Sequence, residues 1–192
     1  MALELTKELI NINQIIGGDF LQTLVEGDII VPDVKPDIAR ILQVDGIVVI
    51  NNKEVQQDKV LVSGNVNFKI LYAPEGTDKA VKSINASSSF THSVDVKSAR
   101  PNMKARIESD IEHIEFTTLN SRKINVKAVV SIDCNVENMV SLDMITNIAG
   151  EGDVQVRKKS IKTYSIVAES DNPFIVRDDL EIPAGKPSIK DI

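Results

Sequence analysis

His92, His113 and Cys134 are the residues of this sequence best suited by type to metal binding or nucleophilic chemistry, and their spacing supports neither. The two histidines sit in strand-like contexts with no cysteine nearby, and a metal site needs several converging ligands that no local spacing supplies here. Cys134 occupies the apolar row of an alternating segment, where a thiol packs as a small hydrophobe; a nucleophile would need an electropositive, partly open setting. Gly17-Gly18-Asp19 and Gly150-Glu151-Gly152-Asp153 lack phosphate-loop spacing and a following helix pattern. Asp33, Asp37, Asp58 and Asp78 form no calcium-loop pattern. No nucleophile, base or metal set converges, so the expectation is a protein that is not an enzyme and uses no cofactor and no metal.

Charge is more informative. Arg157-Lys158-Lys159 is the one basic run, read either as a solvated strand face or as a contact with an acidic partner. Glu108, Asp110, Glu112 and Glu115 make a complementary acidic stretch that could meet it in tandem or intermolecular packing. With Lys35 and Lys186, Arg157, Lys158 and Lys159 are the candidate partner contacts. A formal charge of −6 argues against general affinity for nucleic acid or anionic membrane. Aromatic content of 4% with no Trp weakens a base- or sugar-stacking platform. A single cysteine fits a reducing compartment. No signal-peptide core and no 18-residue apolar run is present, so the expectation is a cytoplasmic protein without a membrane span.

The elements that would position these residues are strands. Val60, Val62, Val66, Phe68, Ile70 and Tyr72 alternate with Ser63, Asn65, Asn67 and Lys69, with Gly64 in the apolar row. A period of two over a dozen residues is a half-buried strand, and Gly64 marks a bulge or a close crossing. Ile124, Val126, Ala128, Val130, Ile132, Cys134 and Val136 repeat the pattern. Residues 1–30 read as two extended pieces, 47–51 as a short strand, and 79–85 with 90–96 as one or two strands interrupted at Ser87-Ser88-Ser89. Residues 139–148 read as a strand or edge. Pro36 suits the first position of a helix and Asp37 its first turn, so 36–43 is expected as a short helix burying Ile38, Ile41 and Leu42. The fold class is mainly β: an antiparallel β-sandwich or barrel-like unit with one or two short helices.

One stretch occurs twice. Adding 151 maps residues 15–41 onto 166–192 without a gap, with 8 identities in 27 positions: Ile15, Val25, Asp28, Pro32, Lys35, Pro36, Ile38 and Ile41. The expected organisation is one unit over 1–152 and the opening of a second over 153–192, with Gly150-Glu151-Gly152-Asp153 as linker. An unfinished second unit leaves its first segment, 154–167, without normal partners, so it is expected to pack onto the first unit or to mediate self-association.

The stretch from Ile29-Ile30-Val31-Pro32-Asp33-Val34-Lys35-Pro36-Asp37-Ile38-Ala39-Arg40-Ile41-Leu42, with Val62-Ser63-Gly64-Asn65-Val66-Asn67-Phe68-Lys69-Ile70-Leu71-Tyr72, resembles the SPOCS domain of SipL-like proteins of spore-forming clostridia. Asn102-Met103-Lys104-Ala105-Arg106 and residues 123–130 are similar to later parts of it, and the resemblance runs from about residue 5 to the end. It implies a structural module in endospore coat morphogenesis. Such a module acts in the mother-cell cytoplasm at the forespore surface, tethering coat assembly to a SpoIVA-type basement layer. Family members carry tandem SPOCS units and a C-terminal LysM module, the expected main contact to SpoIVA-like proteins. No LysM module follows here, so the chain is expected to be an N-terminal fragment. The resemblance carries no catalytic residues. The alternative from the residues is a glycan-binding β-domain of the spore envelope.

Overall fold

A computed structural model describes residues 4–76, 80–150, 155–162, 168, 170, 174–179 and 181–186. Its six strands are β1 (Glu4–Ile30), β2 (Ile38–Gln56), β3 (Lys59–Pro74), β4 (Lys82–Asp95), β5 (Lys104–Asn120) and β6 (Lys123–Ala149). They form two three-stranded antiparallel sheets, ordered β1-β6-β5 and β2-β3-β4. One lateral flank of the sandwich sets β1 against β4 and the other sets β2 against β5. The sheets stay open at these flanks, so the barrel-like alternative is corrected to a sandwich.

The core lies where the sequence alternates most strictly. Val60, Val62, Val66, Phe68, Ile70 and Tyr72 of β3 are buried, as are all seven inward residues of β6 from Ile124 to Val136. Each fully buried Val, Ile or Phe contributes roughly 1.5–3 kcal/mol before entropy is charged. Gly64 is a close crossing: a Cβ there would lie 2.5 Å from the Val49 carbonyl oxygen and 2.9 Å from the Phe90 ring. The bulge sits opposite it on β2, between Ile50 and Asn52.

The short helix expected over 36–43 is absent; those residues are the end of a turn and the start of β2. The register explains why. Ile38 pairs with Pro74, Arg40 with Ala73, Ile41 with Tyr72 and Gln43 with Leu71, so Ala39 and Leu42 are extra residues in the strand. Each bulge lengthens the inward repeat from two residues to three. Ile38, Ile41 and Val44 therefore all face the core from a strand, with a spacing that also suits a helix. Leu42, expected inside, is 43% exposed.

Two further expectations change. Ser87-Ser88-Ser89 interrupts nothing: β4 runs through it in unbroken register with β3. Ser88 turns inward opposite Gly27 of β1, where a Cβ would lie 2.3 Å from its hydroxyl, so the small residues let the two strands meet. Residues 1–30 form, from Glu4, one strand with an extra residue at Ile16. β5 stops pairing with β6 at Glu137, so residues 4–14 and 138–149 continue as a two-stranded ribbon. At about 3.3 Å per residue it reaches roughly 40 Å. Leu5, Leu9, Met139, Leu142 and Ile145 are exposed along it. Of the segment expected as extended over 154–167, residues 155–162 are described; they are exposed and carry no strand. The others lie outside the described residues.

Candidate functional site

The densest polar cluster among the described residues surrounds the repeated stretch, where the chain leaves β1 in one sheet and enters β2 in the other. Two prolines and a turn make that crossing. The Lys35 amide donates to the Pro32 carbonyl at 2.9 Å, closing a turn over Asp33 and Val34. Val31 N–H donates to the Arg122 carbonyl at 2.9 Å and Ile38 N–H to the Ser121 carbonyl at 2.8 Å. The crossing is thus bracketed by the tight turn between β5 and β6.

Arg122 supplies the charge. Its guanidinium bonds the Asp37 carboxylate, the carbonyl oxygens of Val31 and Pro32 at 3.1 Å each, and Asp33 Oδ1 at 3.3 Å. Ser121 Oγ donates to the other Asp37 oxygen at 3.1 Å, and the Tyr72 hydroxyl donates to the Pro36 carbonyl at 2.9 Å. A planar fork with five donors suits this mixture of carboxylates and carbonyls, and lysine could not span it. Burial raises the Tyr72 pKa, countered by the Arg122 charge. The cluster is a clasp between sheets, with its donors directed at its own chain.

The opposite end of the sandwich is closed by Asp58, in the two-residue turn between β2 and β3 with φ 59°. Its N–H donates to Ala99 O at 3.0 Å, its carbonyl accepts from Val96 N–H at 3.1 Å, and Oδ1 accepts from Ser98 N–H at 2.8 Å. Hydrogen bonds from Gln57 and Ser98 lower its pKa.

The residues singled out from sequence are dispersed. Lys35 is half-buried and its Nζ donates to the Ser83 carbonyl on β4. Lys186 lies in the second copy of the same turn, its N–H donating to Pro183 O at 3.2 Å, with Gly185 at φ 90° where the first copy has Val34. Arg157, Lys158 and Lys159 are exposed. Glu108, Asp110, Glu112 and Glu115 lie on the solvent face of β5, where Arg106 pairs with Glu108, His113 with Glu115, and Gln22 bonds Glu112. His92 is half-buried on β4 and His113 exposed on β5, so they sit in different sheets. Cys134 is buried; desolvation, then the neighbouring Asp133 charge, pushes its thiol pKa up. Among the described residues no three His, Cys, Asp or Glu side chains gather as a metal site.

Arg122 carries no signal of this role in the sequence. It is 85 positions from Asp37, and an arginine after Asn-Ser in a strand–strand turn has no local pattern that announces such a partner.

Residues 37–119 match the family model described as SipL, SPOCS domain. The similarity to a SipL-type SPOCS domain is thus confined to a span that begins at the clasp residue Asp37 and covers β2 to β5. No curated protein and no solved structure matches the chain.

Proposed function

We propose, from the SPOCS domain over residues 37–119, that this chain is a non-enzymatic scaffold module of endospore coat morphogenesis, acting at the forespore surface to help hold coat proteins on a SpoIVA-type layer. The family match is the observation that carries the reading. It is supported by the clasp, whose conspicuous charged groups are spent on intramolecular bonds. Partner contact is assigned to the exposed cations Arg157, Lys158, Lys159 and Lys186, with Lys35 contributing only if it leaves Ser83. A fluorescent fusion in a sporulating clostridial cell is expected to ring the forespore, and a R157S/K158S/K159S variant to ring it more weakly. A wild-type fusion spread evenly through the mother cell would contradict the scaffold reading.

A second reading, glycan binding, is favoured by one surface. The solvent face of the β2-β3-β4 sheet is built largely of Ser63, Asn65, Asn67, Asn85, Ser87 and Ser89, with a shallow depression bordered by Ile47, Asn67, Lys69 and Ser87. Uncharged hydrogen-bonding groups of this kind suit sugar hydroxyls. Calorimetric titration with spore-envelope glycan fragments tests it: heat lost on Asn67→Ala supports it, and no heat with the wild type removes it.

A further inference from the structure

We propose that the open edge of β4 is a self-association site, at which the β4 of a second copy of this chain adds antiparallel to make one continuous six-stranded sheet. An open strand edge presents unpaired N–H and C=O groups, and proteins blunt such edges with bulges, charges or proline. Every other open edge here is blunted. β1 carries the extra residue Ile16 and, along its unbroken part from Gly17 to Ile30, the charged residues Asp19, Glu26 and Asp28, and β2 carries Ala39, Leu42 and Asn51. β5 carries Glu112 and Leu119, and the ribbon half of β6 carries Thr146. β5 is also lined by Glu108, Asp110, Glu112 and Glu115, so a second β5 would meet it with like charge.

Between its charged ends, Lys82 and Asp95, β4 has none of these devices. It pairs only with β3, and that ladder runs through 14 successive pairs without a register shift. Residues 83–94 contain no Asp, Glu, Lys, Arg or Pro. Lys35 covers the Ser83 carbonyl, so the open part begins beyond it.

The pattern along this edge complements itself, which selects a second copy as the occupant. A two-fold axis perpendicular to the sheet keeps both core-facing rows on one side, so residues of like parity meet. Antiparallel pairing about Ser88 sets Ser87 against Ser89 and Asn85 against Thr91 on the solvent face. On the other face it sets Ala86 against Phe90 and Ile84 against His92. No like charges oppose each other in this register. The overlying β1 brings little repulsion, because Asp28 pairs with Lys123 at 2.7 Å and Glu26 with Lys127 at 3.4 Å. This inference stands on strand geometry and does not depend on the scaffold reading.

Sedimentation velocity of the full chain over a hundredfold concentration range tests the site, alongside S87K/S89K, which puts lysine against lysine on the solvent face. The expected result is a concentration-dependent dimer whose dissociation constant rises roughly tenfold or more in S87K/S89K, with Tm unchanged. R157S/K158S/K159S is expected to leave the dimer intact. A wild type monomeric throughout, a dimer indifferent to S87K/S89K, or one lost on changing the basic run would each overturn the proposal. Should S87K/S89K fail to fold, hydrogen exchange of the wild type decides: open-edge β4 amides must exchange more slowly as concentration rises, and equal rates overturn it.

Discussion

Arg122 and Gly18 show how single residues set this fold. Arg122 satisfies two backbone carbonyls and two carboxylates at the crossing between sheets, and its removal strips charged hydrogen bonds from all four. Charged hydrogen bonds of this kind are worth about 1.5–3 kcal/mol, and half-exposure of the site puts Arg122→Met in that range. Urea unfolding measures it, and Arg122→Lys is expected to recover only part, because an ammonium cannot hold a fork of acceptors. Gly18 is a close approach. An added Cβ would lie 2.3 Å from Asn135 Oδ1 and 2.7 Å from the Cys134 carbonyl oxygen, whereas at Gly17 the nearest atom is at 3.4 Å. Gly18→Ala is therefore expected to cost about 1–3 kcal/mol and Gly17→Ala much less, in the same unfolding measurement. The repeated sequence has Glu169 and Asp178 at the positions of Gly18 and Gly27, side chains that the close contacts at those two glycines of β1 would not admit.

The strands divide into those legible in sequence and those that are not. The inward rows of β3 and β6 could be read directly, because a strict period of two over a dozen residues has one structural meaning. The start of β2 is not legible in the sequence because two bulges give Ile38, Ile41 and Val44 a helical spacing, and only pairing with β3 separates the cases. The pairing of residues 4–14 with 138–149 joins segments more than a hundred positions apart and has no local signature. That ribbon lacks a second sheet, and local opening requires few buried contacts to be lost. Amide exchange is expected to be faster there than in residues 60–72 and 124–136 of β3 and β6. Equal protection throughout would show that something covers the ribbon.

At the scale of the whole molecule, two sheets are held by an apolar core and closed at opposite ends, by Arg122 and by Asp58. The Asp58 end carries a pH dependence. Hydrogen bonds from Gln57 and Ser98 hold the folded pKa of Asp58 below its ordinary 3.8, and Asn125 and Lys123 do the same for Asp28. Groups with depressed pKa contribute stability above the unfolded value and lose it as pH falls through the folded one. Stability is therefore expected to be flat from neutral pH towards 4 and to decline below, less steeply in Asp58→Asn. Thermal unfolding across that range checks it.

The stretch from Val31 to Ile38 is an architectural clasp, whose charged residues serve the fold. A double-mutant cycle between Asp37→Ala and Arg122→Met, read by urea unfolding together with forespore recruitment of the fusion, tests this most directly. The expected result is a coupling of about 0.5–3 kcal/mol, with recruitment following the folded fraction. Near-zero coupling, with recruitment abolished in a fully folded variant, would contradict it and make the stretch a contact site.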